Sequence, residues 1–290
     1  MGIIILLFLL SCTAAAMVPD NITFKSEDNW VVANGADSTR LTITVYNQTI
    51  PMNGTKISFA VNSSEYGTIE PTQVTTALGK AATDFKTAYK SGTARITATI
   101  SYRINDNDVS EPEKTVTKTL DQNIDHDTKI TCTYLYNSSA TVGTGTPISF
   151  TFRDQHGNPI DNRRNDDPLE SLPPEQMRLE VSLPDMSHVD RAGFWDGTLY
   201  HLNSTINLNL NGMVSSILFL DTMTGTHYLH ATPVNFKVAE WLPDHTTTSD
   251  HYFLIRGIAN GEPWYLTRTI YPSVMWVYAD GIQYFTIDYV

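Results

Sequence analysis

The chain has 290 residues, enough for two ordinary domains with cores of their own. Only 17% of the residues are charged, and 31 acidic residues stand against 19 basic ones, a net charge of −12. That balance excludes nucleic acid and anionic membrane surfaces as partners, because both repel an acidic protein.

The first residues read MGIIILLFLLSCTAAAM. The apolar run from Ile3 to Leu10 is too short to span a bilayer, which takes roughly 20 residues. It fits the apolar region of a secretory signal, and Ala14-Ala15-Ala16 offers a cleavage site, so residues 1–16 are expected to be a signal peptide. A rival reading takes Leu9-Leu10-Ser11-Cys12 as a lipoprotein signal with lipid on Cys12, and a third leaves the segment as an uncleaved anchor. All three place the rest of the chain outside the cytoplasm, at the cell surface or beyond it. Membrane contact is then expected only through the signal or the lipid.

Residues 17–124 read as a first domain. Leu41, Ile43 and Val45 alternate with Thr42, Thr44 and Tyr46, the period-2 pattern of a half-buried strand. Ile57 to Val61 and Ala94 to Ile100 repeat it, and Asn34-Gly35, Asn53-Gly54, Leu78-Gly79 and Ser91-Gly92 punctuate the runs as turns. Residues 105–112 read as an exposed hairpin loop. The acidic stretch 119–127 reads as a junction, and Asp121, Asp125 and Asp127 in it are candidate calcium ligands; the competing reading is a solvated linker. No other cofactor is expected.

Residues 125–262 read as a second domain, with strands over 130–136, 148–153, 177–183, 206–210, 215–220 and 227–234. A polar, Pro-rich insertion, 161–174, interrupts it and is too polar for a core; residues 235–262 have no clear placement. Cys132, in a strand-like alternation, reads as a small buried residue, and it lacks the His and acid partners of a nucleophile. His227 and His230 are three apart, which on a strand puts them on opposite faces and denies them a shared metal. The carboxylates of the insertion have no fixed pair for hydrolysis, and Arg163-Arg164 beside them points to local ion pairing. Trp195 and Trp264 are the candidate ligand contacts, as aromatics that stack on sugars or fill a partner's pocket; the competing reading buries them in a core. Asn21, Asn47, Asn53, Asn62, Asn137 and Asn203 carry the Asn-x-Ser/Thr pattern and are glycosylation candidates in a secreted chain.

The chain also repeats itself. Trp30, Val31, Ala33 and Gly35 return as Trp276, Val277, Ala279 and Gly281, and Leu41 to Val45 as Phe285 to Tyr289. A third copy of the strand runs from Thr146 to Asp154. The copies lie about one domain length apart. Residues 263–290 are therefore expected to be the first strands of a truncated third repeat, or strands docked on the second domain. Short, one-faced strands at this spacing call for two packed sheets, an all-β sandwich.

The ordered motifs of the first domain resemble a known family. Val32-Ala33-Asn34-Gly35 precedes Leu41-Thr42-Ile43-Thr44-Val45; Gly54 and Ile57-Ser58-Phe59 follow. Tyr66-Gly67-Thr68-Ile69, Val74 to Ala81 and Ser91-Gly92-Thr93-Ala94-Arg95-Ile96-Thr97-Ala98 complete the series. Together they resemble the bacterial immunoglobulin-like domain, group 1, of invasin- and intimin-type adhesins. Where that family shows an Asp and Gly-Asn-Pro, this domain has Asn47-Gln48-Thr49-Ile50-Pro51, and the second domain supplies Asp154-Gln155-His156-Gly157-Asn158-Pro159. The resemblance implies tandem immunoglobulin-like β-sandwich domains, no catalytic motif, and no enzyme. It implies a secreted or cell-surface adhesin stalk, spacer or binding module, whose partner is a cell-surface protein or a glycan. The alternative is a carbohydrate-binding or accessory module of an extracellular polysaccharide-active enzyme.

Overall fold

The computed structural model describes residues 18–104, 110–182, 192–195, 200–201, 203–220, 224–236, 251–258, 268–270 and 273–275. The signal candidate 1–16 with Cys12, Trp264 and the terminal copy 276–290 lie outside them. The chain divides into two compact units, Met1–Asp125 and His126–Val290.

Unit 1 contains β1 (Asn21–Ser26), β2 (Trp30–Val32), β3 (Ser38–Asn47), β4 (Ile50–Pro51), β5 (Lys56–Val61), β6 (Gly67–Glu70), β7 (Gln73–Thr75), β8 (Lys80–Thr87), β9 (Gly92–Tyr102) and β10 (Lys114–Asp125). One sheet runs β1-β3-β8-β6, with β4 paired to β3; the other runs β2-β10-β9-β5-β7. Only β2 on β10 is parallel; the other ladders of this unit are antiparallel. The alternation read from the sequence decides which residues go inward. Leu41, Ile43, Val45 and Phe85 from the first sheet meet Ile57, Ile96, Ala98, Ile100 and Ile124 from the second in one buried cluster. Their Thr, Ser and Lys neighbours face out, so burying one face of each sheet makes a sandwich.

Residues 119–125 are not the junction expected from their acidity. They are the last residues of β10, paired with β9 from Tyr102↔Lys114 to Gly92↔Ile124. The physical reason is again period 2: Gln122 and Ile124 are buried while Asp121 points out.

Two glycines of the family series occupy backbone that a side chain would obstruct. Gly67 has φ +157°, and a Cβ there would lie 2.3 Å from the Lys86 carbonyl oxygen. Leu78 (φ +50°) and Gly79 (φ +70°) form a two-residue hairpin turn closed by the Ala77↔Lys80 bridge. Both central residues need positive φ there to match the strand twist.

Unit 2 contains β11 (Ile130–Leu135), β12 (Ser139–Thr141), β13 (Gly145–Asp154), β14 (Gln176–Ser182), β15 (Gly193–Trp195), β16 (Tyr200–His201), β17 (Asn203–Asn207), β18 (Met213–Phe219), β19 (Gly225–Val234) and β20 (His251–Ile258). The sheets run β11-β13-β18-β15-β16 and β12-β20-β19-β14-β17. A separate ladder pairs β21 (Arg268–Ile270) with β22 (Ser273–Met275). Apart from β4 in unit 1 and β16 in unit 2, this is the strand order of unit 1, including the parallel pairing of a short second strand, β12, on the last, β20. Within the stretch 235–262, which the sequence did not place, β20 pairs with β19 from Gly225↔Gly257 to Ala231↔His251. The core joins Ile148, Phe150, Phe152, Phe194 and Leu218 to Leu179, Val181, Leu229 and Ile255.

Candidate functional site

Two places in unit 2 concentrate side chains with chemistry. The first is a buried polar cluster that begins where the chain enters the unit. Asp154 ends β13 with 2% of its surface exposed. Its carboxylate accepts the backbone N–H groups of Asp127 (2.9 Å), His156 (2.9 Å) and Asn158 (2.9 Å), and the Asn158 Nδ2 (2.7 Å). The motif Asp154-Gln155-His156-Gly157-Asn158-Pro159 is thus a turn wound around its own first side chain, with Gly157 at φ +85°. The turn returns the chain to pair Pro159 with Arg153.

Around that turn, Asp127 receives Gln155 Nε2 and the Thr128 N–H (2.7 Å), and its Oδ2 lies 3.4 Å from His156 Nε2. Beside it, His126 Nδ1 donates to the Asp127 carbonyl (2.8 Å), and its Nε2 lies 3.6 Å from Glu175 Oε2. Asn162 ties the far side together: its Oδ1 accepts the Glu175 N–H (2.6 Å), and its Nδ2 donates to the carbonyls of Glu175 (3.1 Å) and Leu208 (3.0 Å). The insertion 161–174 therefore starts inside the molecule, contrary to the expectation that it is too polar for a core: Asp161 and Asn162 are buried. Asn162 is admitted because its amide is matched on both sides, which removes the cost of burying it. The ion pairing expected beside Arg163-Arg164 is present, as Arg163–Asp161 (3.0 Å) and Arg164–Glu170 (3.0 Å).

Burial works against the Asp127 carboxylate, but the Thr128 N–H, Gln155 and the His156 imidazole outweigh it and hold its pKa below the usual value. A carboxylate lowered by folding adds stability above its unfolded pKa, and that stability is lost as pH falls through the folded value. Unit 2 is therefore expected to lose stability below about pH 4, and Asp127→Asn to flatten that loss. Urea melts of the full chain at pH 6 and pH 3 measure this; equal losses for variant and wild type would contradict it.

The calcium candidates are dispersed. Asp121 points outward and pairs with Arg95 through Nε (2.9 Å) and Nη2 (3.1 Å). Four residues further along an extended strand, Asp125 is roughly 13 Å away, too far for one ion with ligands at about 2.3–2.6 Å. The buried Asp125 ends β10, and its carbonyl accepts the Ala33 N–H (2.9 Å). Among the described residues no group of three or more His, Cys, Asp or Glu is arranged to hold a metal ion. Cys132 lies in the core of unit 2, where burial pushes its thiol up to about 12, far from a reactive thiolate. His227 is buried on β19, whereas His230 lies on the other face and meets Ser182 Oγ at 2.7 Å.

The sequon asparagines fall in two groups. Asn21, Asn53, Asn62, Asn137 and Asn203 are exposed, and Asn47 is half-buried. Three of these asparagines use the side-chain amide as follows: Asn53 Oδ1 accepts the Gly79 N–H, Asn62 Oδ1 accepts the Arg95 N–H, and Asn137 Nδ2 donates to Thr146 Oγ1.

The second place is an apolar stripe on the outer face of the β13-β18-β15 sheet. Trp195 pairs with Ile217, which pairs in turn with Pro147. Trp195 is 37% exposed and Ile217 40%, and Pro147 is exposed too. Ile217 and Phe219 lie over Gly145, where an added Cβ would stand 2.5 Å from Ile217 Cγ2 and 2.9 Å from the Phe219 ring. Trp195 alone was legible in the sequence; its row was not, because it is assembled across strands about 20 and 50 residues away in the chain.

Comparison with known proteins gives the architecture a family context. Residues 21–119 match the bacterial Ig-like domain, group 1, the family whose motifs the first domain resembles. No curated protein matches the chain. Among solved structures, InvD of Yersinia pseudotuberculosis is similar with a TM-score of 0.51 at 14% identity, over 86% of this chain and 60% of that one. The Escherichia coli adhesin FdeC gives 0.46 at 17% identity, over 83% and 66%. The Yersinia pseudotuberculosis adhesin InvE gives 0.39 at 14% identity, over 84% and 61%. The chain thus spans about three-fifths to two-thirds of each of these structures. The likeness to InvD is one of fold.

Proposed function

We propose that this chain is a non-catalytic part of a secreted or cell-surface adhesin, a tandem array of immunoglobulin-like units that serves as stalk, spacer or binding module. The observation that carries this reading is the repeated strand order: two sandwiches, each with its own core, joined by an uninterrupted passage from β10 through residues 126–129 into β11. Units of that kind transmit reach without chemistry of their own. The match of residues 21–119 to the bacterial Ig-like domain supports it. The partner would be a protein or glycan of another cell's surface.

Protease shaving of intact cells that make the protein is expected to release peptides from both units. Recovery of the chain only after lysis, from the cytosolic fraction, would contradict a surface location.

A second reading, a carbohydrate-binding module, is favoured by one observation: the exposed row of Trp195, Ile217 and Pro147. An aromatic face on a rigid sheet suits the apolar side of a sugar ring. A glycan array separates the two readings. Binding that disappears with Trp195→Ala would favour the module, and binding to cells that survives that change would favour the adhesin.

A further inference from the structure

Unit 1 contains a small polar cavity at the end where β9 leaves and β10 returns. Its volume is about 130 Å³, and Asn53, Thr55, Lys56, Tyr102, Arg103 and Glu113 are among the residues that line it. The register explains the assembly: Lys56 at the start of β5 stands opposite Ser101 near the end of β9, and Tyr102 opposite Lys114. Tyr102 packs inward against the core of the unit, so the cavity has a firm floor.

Among the described residues Arg95, Arg163, Arg164 and Arg178 each pair with a carboxylate, and Lys90 pairs with Glu65. Lys56 and Arg103 take part in none of these ion pairs, as is true of several other Lys and Arg residues; what distinguishes Arg103 is a buried nitrogen. The Arg103 Nε is buried and has no hydrogen-bond partner. A buried donor without an acceptor is destabilising, and an acceptor brought to it removes that cost.

The geometry points to a binding site for a carboxylate-bearing sugar unit. A guanidinium presents parallel N–H groups through Nε and one Nη, which fit a planar carboxylate two to one. Lys56 adds a second positive charge, and the Glu113 carboxylate in the same lining offsets one of the two, so a single anion is the complement. The remaining side-chain lining is mostly amide and hydroxyl, from Asn53, Thr55, Ser101 and Tyr102, the partners a ring of hydroxyls requires. The site belongs to unit 1 and does not depend on the Trp195 stripe or on the adhesin reading.

The test is a titration of the full chain with D-glucuronate, D-glucose and acetate, followed by NMR at the Arg103 Nε–H and the Met52 methyl group, another residue of the lining. Glucuronate is expected to shift both signals, acetate to shift them at higher concentration, and glucose to leave them in place. Arg103→Gln is expected to weaken glucuronate at least tenfold and Lys56→Gln severalfold, and neither variant is expected to lower the melting temperature, because neither residue belongs to the buried core. Trp195→Ala is expected to change nothing. Equal binding of glucose and glucuronate, undiminished binding by Arg103→Gln, or no response to glucuronate at tens of millimolar would each overturn the assignment.

Discussion

Phe85→Ala is expected to destabilise unit 1 by about 3–5 kcal/mol, the range for emptying a fully buried Phe site. Phe85 has no exposed surface, and its strand β8 lies between β3 and β6, with Thr39 on one side and Ile69 on the other. Its ring rests on Gly67, where an added Cβ would come within 2.8 Å of it. Backbone paired on both sides cannot move in to fill the space, so the cost should fall toward the upper end. A domain of about 100 residues loses roughly 4–8 °C of Tm per kcal/mol, so one calorimetric transition of the full chain should drop by more than about 12 °C. The other should stay, because the two core clusters share no residue. If both transitions fell together, the units would be one cooperative block and the separate cores would not mean separate folding.

The sandwich could be read from the sequence because its cause is local. In β3, Leu41, Ile43 and Val45 bury while Thr42 and Thr44 do not, and no distant partner is needed to see that. The stretch 119–125 reads as a junction rather than as a strand for the opposite reason. Asp121, Asp125 and Asp127 look like a charged linker when read by composition, yet Gln122 and Ile124 carry the strand pattern through them. Gln122 goes unrecognised as an inward residue because it is polar; its Nε2 is satisfied by the carbonyls of Asp28, Asn29 and Asn123. The buried polar cluster was harder still. Its members come from residues 126–127, 154–162 and 175, and only the fold brings them together. The same is true of the cavity at Arg103, whose walls come from three separate stretches.

Asp154→Ala is expected to cost unit 2 about 3 kcal/mol or more, since one substitution strands three backbone N–H groups and the Asn158 amide. The first unit shows why the effect should be confined to the second. There β3 ends at Asn47, and the chain turns back to pair Pro51 with Tyr46, one residue sooner than Arg153 meets Pro159. The shorter turn places Gln48 at φ +56°, and the Gln48 N–H is accepted by Asp20, which precedes β1. So the departure from the family pattern at Asn47-Gln48-Thr49-Ile50-Pro51 is met by a carboxylate from elsewhere in the chain. That carboxylate is exposed, so Asp20→Ala should cost under about 1 kcal/mol, as for most surface substitutions away from special features. Asp154→Asn should recover roughly half of the loss: its oxygen can still accept from His156 and Asn158, but its amide group faces the other two donors. Urea melts of the four proteins would measure the series. A cost for Asp154→Ala no larger than for Asp20→Ala would mean that water replaces the carboxylate freely, and the turn would then owe its shape to Gly157 and Pro159 instead.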